Sequence, residues 1–243
     1  MREALDALHH VTAVCAEAQR TVDFYREHGL ELVKKTVNFD DPGSYHLYFG
    51  DEQGRPGTLL TFFEWPGARR GRLGAGTLAS LEIATPGVGE LRALEDPDGL
   101  RLELVPGERV EIRSITAFGD PALYEGFIAE GAPIRFREPP GQPAVVSAGI
   151  VHHHAWRMAD EEEQLAWREK LDGLGLRPTP VYDRKYFRSV YFRMADGLLL
   201  ELATDGPGFS VDEPEESLGE ALALPEWLEA ERPQLERVLA PIS

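Results

Sequence analysis

The chain has one cysteine in 243 residues. A lone thiol, Cys15, excludes an intramolecular disulfide and fits a reducing compartment. It stands at the end of a histidine-bearing strand with no activating partner nearby in sequence, so it reads as a buried structural thiol and not a nucleophile. No stretch approaches the roughly 20 apolar residues needed to span a bilayer. The N-terminus, Met1-Arg2-Glu3-Ala4-Leu5-Asp6, lacks the apolar core of a signal peptide. The expectation is a cytoplasmic protein with no membrane partner. Positive charge is scarce: 25 Lys and Arg stand against 42 Asp and Glu, a formal net charge of −17. Such a surface repels nucleic acid and anionic lipid. The one basic run, Arg69-Arg70-Gly71-Arg72, is short and glycine-rich and reads as a solvated loop.

What the chain does have is histidine in two places. Five of its seven histidines lie in Leu8-His9-His10-Val11-Thr12-Ala13 and Val151-His152-His153-His154-Ala155-Trp156. Each segment reads as the first strand of a repeated unit. A carboxylate, Glu201, follows the second cluster within Leu199-Leu200-Glu201-Leu202-Ala203. Two neutral imidazoles and one carboxylate form a three-donor metal site with open positions, an arrangement suited to non-haem iron(II) that activates oxygen. Glu201 stands among leucines, and a carboxylate buried there needs a strong partner, which a divalent cation supplies.

The repeat sets the expected architecture. Residues 5–65 read as strand, helix and three strands: Leu8–Val14, the helix Glu17–His28 ended by Gly29, then Leu30–Val37, Ser44–Phe49 and Thr58–Phe63. Residues 148–204 repeat the plan. Gly149–Trp156 is the strand. Asp160 and Glu163 form a capping box, and Trp167, Leu171 and Leu174 give the helix one apolar face before Gly175 ends it. Pro178–Tyr182, Phe187–Arg193 and Leu198–Ala203 follow as strands. The middle carries two shorter echoes. Leu81–Ala84 with Asp98–Leu104 forms one, and Ile112–Ala117, with Ser114 in the place of His10, opens the other. The expected organisation is α+β with a full module at 1–70, trimmed modules at 77–107 and 110–138, a full module at 148–209, and an acidic tail at 210–243. The tail is expected to carry short helices near 217–222 and 226–238 and to pack along the outside. A homodimer is compatible with this plan.

These features resemble the vicinal oxygen chelate superfamily, which unites glyoxalases, bleomycin-resistance proteins and extradiol dioxygenases on tandem βαβββ modules. Within it, the chain is similar to ring-cleaving dioxygenases of the hydroquinone type. The resemblance covers most of residues 5–235. Besides the first histidine segment, it is carried by Val33-Lys34-Lys35-Thr36-Val37-Asn38-Phe39-Asp40-Asp41-Pro42-Gly43 and Thr61-Phe62-Phe63-Glu64-Trp65-Pro66-Gly67. Asp183–Arg193 and Ala203-Thr204-Asp205-Gly206-Pro207-Gly208-Phe209 carry it further. The trimmed middle departs from the family's four full modules.

Successive strand residues point to opposite faces, so only one histidine of each pair faces a cavity directly. The resemblance puts the metal on the second of each pair, which implies His10, His153 and Glu201 as ligands to iron(II), or alternatively manganese(II). His154 would serve in place of His153 only if the register slipped. The resemblance also sets Arg184 and Tyr191 near the substrate, Arg184 to stabilise a phenolate and Tyr191 to hydrogen-bond a hydroxyl. His9 and His152 are expected just outside the metal, orienting substrate or dioxygen or relaying protons. Glu103, the equivalent of Glu201 in the second module, has no histidine at its module's head and reads as structural. The implied reaction is ring cleavage of a dihydroxylated aromatic by dioxygen. Two other readings stand beside it. One is a glyoxalase-type isomerase or lyase, against which Thr61 stands where a fourth, carboxylate ligand would lie. The other is a metal-free small-molecule binding protein of the resistance type.

Overall fold

Thirteen strands in two sheets dominate the chain, seen here in a computed structural model that describes residues 3–243. The larger sheet has the order β11-β12-β13-β10-β1-β4-β3-β2. Its strands are β1 (Leu8–Cys15), β2 (Glu31–Asn38), β3 (Asp41–Gly50), β4 (Leu59–Glu64), β10 (Val151–Met158), β11 (Tyr182–Asp183), β12 (Arg188–Arg193) and β13 (Leu199–Thr204). At its centre the two histidine strands, β1 and β10, run antiparallel, and each is flanked on its far side by a parallel partner, β4 or β13. The 143 positions between His10 and His153 in sequence are thus bridged by direct strand pairing, with Thr12 opposite His153.

The smaller sheet, β6-β7-β5-β8-β9, comes from the middle of the chain: β5 (Leu78–Thr85), β6 (Arg92–Glu95), β7 (Arg101–Pro106), β8 (Glu111–Phe118) and β9 (Ile134–Arg137). It repeats the plan of the larger one in reduced form. A central antiparallel pair, β5 and β8, has a parallel strand on each side. Where helices follow β1 and β10, only a 3-10 turn, Pro121–Tyr124, follows β8, and none stands between β5 and β6. The strands β6 and β9 are not expected from the sequence: both are only four residues long, β6 has no apolar alternation, and the alternation of β9, Ile134 and Phe136 against Arg135 and Arg137, spans too few residues to mark a strand.

The helices α1 (Ala18–Glu27) and α2 (Glu161–Gly173) cover one face of the larger sheet. Ala18, Thr21, Val22 and Tyr25 are the buried stripe of α1, and Gln164, Trp167 and Leu171 that of α2. The capping box of α2 is present in a variant form: Asp160 Oδ1 accepts from Glu163 N, while Glu163 Oε2 accepts from Ala159 N, one residue before the cap. Gly29 and Gly175, just past the two helices, have φ of +82° and +78°, the left-handed turn that a side chain would strain. Leu174 belongs to the expected apolar face but is exposed, because the helix has already ended there. No helix among the described residues is long and apolar enough to cross a membrane.

Three expectations change in detail. Pro178–Tyr182 forms no strand before Tyr182, since Pro178 and Pro180 offer no amide to a ladder. Of the helix expected near 217–222 only a 3-10 turn, Glu215–Ser217, is present, and it ends where the expected helix begins. That stretch lies against the outer edge strand β2: Lys35 bridges to Leu222, Ala223 N donates to Lys35 O, and Gly219 abuts the Leu32 carbonyl. The tail thus covers an edge that would otherwise be open. The stretch 226–238 is helical, but as a 3-10 turn, Glu226–Glu231, that passes into α3 (Arg232–Val238) with Pro233 in its first turn. Buried Lys34 anchors the start of the tail through Asp212 and Glu213.

Candidate metal centre

Alternation along the larger sheet turns Val11, Ala13 and Trp156 into the apolar core under the helices and leaves His10, Thr12, His153 and Glu201 to the other face. There His10 Nε2, His153 Nε2 and Glu201 Oε2 converge. The two nitrogens are 3.3 Å apart, and the carboxylate oxygen lies 3.1 Å from His10 and 3.0 Å from His153. All three residues are buried, and among the described residues they form the one group of histidine, cysteine and acidic side chains close enough to hold a metal ion. Glu103, by contrast, accepts from Ser80 in the smaller sheet and joins no such group.

His9 and His152 owe their positions to two β-bulges. Between β1 and β10, Leu8 pairs with Trp156 and His10 with Ala155, so His9 is an extra residue; Thr12 pairs with His153 and Ala13 with Val151, so His152 is another. A bulge re-aims the side chain it carries. Each extra imidazole lies behind the next histidine, with Nδ1–Nδ1 separations of 2.9 Å for His9 and His10 and 2.8 Å for His152 and His153. His154 faces the core side, fully buried against Trp156, with neither ring nitrogen hydrogen-bonded.

These contacts dictate where the protons sit. Burial, reinforced by His10, lowers the His9 pKa to about 3, so the ring is neutral at pH 7. Its Nε2–H donates to the Thr204 carbonyl at 3.1 Å. Its Nδ1 is then an acceptor, and His10 Nδ1–H must be the donor. That leaves a bare lone pair on His10 Nε2. His152 is likewise held neutral, its pKa lowered to about 3 by burial and His153, and its Nδ1 shares a hydrogen bond with His153 Nδ1, which leaves His153 Nε2 bare when His152 is the acceptor. Burial pushes the Glu201 carboxyl up, and only positive charge on its His10 and His153 side holds the group well below the usual range, a charge that a cation between these three residues would supply. Its Oε1 accepts a short hydrogen bond from Ser189, while Oε2 has no hydrogen-bond donor.

Three lone-pair atoms at this separation repel one another unless a cation lies between them. Bonds of roughly 2.1 Å from a first-row divalent ion to nitrogen and oxygen place neighbouring donors of an octahedron roughly 3.0 Å apart, against roughly 3.4 Å in a tetrahedron. The observed 3.0–3.3 Å is the separation of neighbouring donors that share one such ion. The mixed nitrogen and oxygen set suits iron(II) or manganese(II).

A narrow cavity opens onto this centre. Besides His10 and His153 it is lined by Arg184, Tyr191 and three phenylalanines, Phe39, Phe63 and Phe187. Arg184 hydrogen-bonds the Tyr191 hydroxyl, and the Tyr191 ring meets His153 edge-on at 5.5 Å. Burial and Glu201 keep that phenol protonated. Asn38, Asp40, His46 and Tyr48 complete the wall, and sequence reasoning gave His46 and Tyr48 no role. Tyr48 Oη is 3.0 Å from His46 Nδ1, His46 Nε2 is 3.0 Å from Thr61 Oγ1, and Thr61 Oγ1 is 2.8 Å from Thr12 Oγ1.

Comparison with known proteins places this geometry. No family model matches the chain. Over 96% of both chains it is 37% identical to MhqO of Bacillus subtilis, which is named as a ring-cleaving dioxygenase. That alignment spans 299 positions, more than this chain has, so the relative carries segments with no counterpart here. A chlorohydroquinone/hydroquinone 1,2-dioxygenase of Sphingobium indicum is 28% identical, with 98% of this chain and 97% of that protein covered. A crystal structure from B. subtilis, named as a dioxygenase, superposes with a TM-score of 0.89 at 34% identity, covering 100% of this chain and 99% of that one. Maize glyoxalase I shares the fold at a TM-score of 0.55 and 15% identity, over 82% of this chain and 92% of that one. The chain belongs to the ring-cleaving dioxygenases built on the vicinal oxygen chelate fold.

Proposed function

We propose that the protein is an iron(II)-dependent dioxygenase that opens the ring of a dihydroxylated aromatic, of hydroquinone or catechol type, with His10, His153 and Glu201 as metal ligands. One observation carries the reading: three buried donor atoms face one another 3.0–3.3 Å apart at the base of an aromatic cavity. Manganese(II) suits the same donors. When bound, the metal supplies open coordination positions at which ring and dioxygen meet and exchange electrons.

The side chains around it do the rest. Arg184 stabilises the charge of a ring hydroxyl that has lost its proton, and the Tyr191 phenol donates to an oxygen of the ring or of dioxygen. His9 and His152 hold the protons on the outer nitrogens of His10 and His153 and so keep the inner nitrogens free. Phe39, Phe63 and Phe187 confine the ring and exclude water. The hydroquinone dioxygenase among the relatives makes hydroquinone the first substrate to try.

The test is anaerobic reconstitution with iron(II), followed by oxygen-electrode assays on hydroquinones and catechols. Oxygen consumption matched by loss of the aromatic absorbance is expected. A protein that binds iron(II) yet consumes no oxygen with any diphenol would overturn the reading.

A further inference from the structure

Arg184 is the one lysine or arginine in the wall of the aromatic cavity among the described residues, and its charge is already engaged. Its Nη1 lies 3.0 Å from Asp40 Oδ2, and Asp40 is the one carboxylate in that wall. The two residues come from opposite edges of the larger sheet. Asp40 sits in the tight turn between β2 and β3, and Arg184 in the turn that follows β11. The sheet curls until these edges meet, so the ion pair crosses the mouth of the cavity. The Asp40 side chain is 72% exposed and that of Arg184 20%. Behind the pair, Arg184 stacks 5.4 Å from the Tyr182 ring and 5.6 Å from the Tyr191 ring.

The charges of the site then sum in a definite way. A divalent ion beside Glu201 leaves one net positive charge. Arg184 adds one and Asp40 removes one. A diphenol bound as its monoanion brings the total to zero. A ring that also carries a carboxylate leaves one negative charge uncompensated in a pocket walled by phenylalanines, where a lone charge is costly. No other cation lines the cavity to take it up.

We propose that Asp40 is a specificity-determining residue that neutralises Arg184 and thereby restricts the enzyme to diphenols without a carboxylate. The proposal rests on the ring-cleavage reading and names the substrate class: hydroquinones or catechols whose other substituents are uncharged. Removing the Asp40 charge frees the guanidinium to pair with a carboxylate on the ring.

Asp40→Asn tests it. The position is exposed and lies in a turn, so the substitution leaves the fold intact. With the iron-reconstituted enzyme, the ratio of kcat/KM for 2,5-dihydroxybenzoate to that for hydroquinone is expected to rise about tenfold at low ionic strength and to shrink as salt is added. A second arm needs no metal. Binding of the two rings to the metal-free protein is followed by ligand-observed NMR. The carboxylated ring is expected to gain several-fold in affinity for Asp40→Asn, and the gain is expected to vanish in Asp40→Asn/Arg184→Gln. An unchanged ratio, or a gain that persists in the double variant, overturns the proposal. Should no diphenol be turned over by the wild type, the ring-cleavage reading falls while the binding arm alone decides the role of Asp40.

Discussion

Thr61 occupies in the first module the position that Glu201 occupies in the last. Thr12, two residues beyond His10, pairs with Thr61, and Ala155, two beyond His153, pairs with Glu201. On the next strand Tyr48 lies opposite Thr61 as Tyr191 lies opposite Glu201. The residue two before each tyrosine then reaches back to the central group: His46 to Thr61, and Ser189 to Glu201. The two halves of the centre are thus one design in which a single donor has been exchanged for a hydroxyl. Thr61→Glu should restore a fourth protein donor. Chelator competition is expected to show tighter metal binding, by tenfold or about that, while oxygen-dependent turnover falls because an open position has been filled. Unaltered metal affinity would mean that the side chain at 61 does not reach the ion.

In the proposed function His9 acts through His10. Its Nε2 is fixed by the Thr204 carbonyl, so its Nδ1 must accept, and this sets the tautomer of His10. His9→Phe keeps an aromatic ring at the bulge but removes the acceptor. Metal affinity is expected to fall about 10- to 100-fold, the usual consequence of losing a partner behind a ligand, with the circular dichroism spectrum unchanged. His9→Asn, which retains an acceptor, should lose less.

The proposed ligand set is separable from the rest of the acidic residues. His10→Ala, His153→Ala and Glu201→Ala should each abolish iron loading, whereas Glu103→Ala should load normally, because Glu103 lies in the other sheet bonded to Ser80. Thermal scans give a second readout. An ion held at 100 times its Kd stabilises the native state by about 2.7 kcal/mol. Added metal should therefore raise the midpoint of the wild type and of Glu103→Ala, and leave the three ligand variants where they were.

Much of this centre is legible in the sequence, for a definite reason. Histidine pairs and a glutamate inside a leucine run contradict the apolar alternation of a buried strand, so His9, His10, His152, His153 and Glu201 stand out. Gly29 and Gly175 mark the helix ends because only the left-handed turn requires them. His46 gives no such signal. It is a single histidine in Ser44-Tyr45-His46-Leu47-Tyr48-Phe49, where it alternates with core residues like any polar neighbour. Only alignment of the two modules strand by strand, with His46 falling where Ser189 falls, would have found it. The bulges that turn His9 and His152 contain no glycine and depend on how β1 meets a strand 143 positions away. The Asp40–Arg184 pair likewise exists only because two distant sheet edges curl together.

His154 imposes a cost that pH should expose. It is fully buried, its ring nitrogens have no hydrogen-bond partner, and burial, with a contribution from His153, lowers its pKa to about 3. The unfolded chain protonates such a histidine near pH 6.5. Between about pH 6.5 and pH 3 the unfolded state therefore binds the extra proton, and stability falls as the pH falls, by up to about 1.4 kcal/mol per pH unit for this one group. Above pH 6.5 the term disappears. His154→Leu removes both the titration and the orphaned ring N–H. In the metal-free protein, urea midpoints are expected to rise at pH 7.5, and to rise further at pH 5. Parallel acid dependence in variant and wild type would show that His154 finds a proton or a partner in the native state.

Cys15 offers a plain check on the packing of β1. Its thiol is buried, and burial pushes its pKa up to about 12, with neighbouring Glu64, Asp98 and Asp96 adding to the rise. A thiolate is the reactive form, and almost none exists at pH 8. Native protein should therefore resist a thiol-disulfide reagent for as long as the fold persists, and release one equivalent on denaturation. Rapid labelling of the native chain would mean that the end of β1 opens to solvent, and with it the strand that carries His9 and His10.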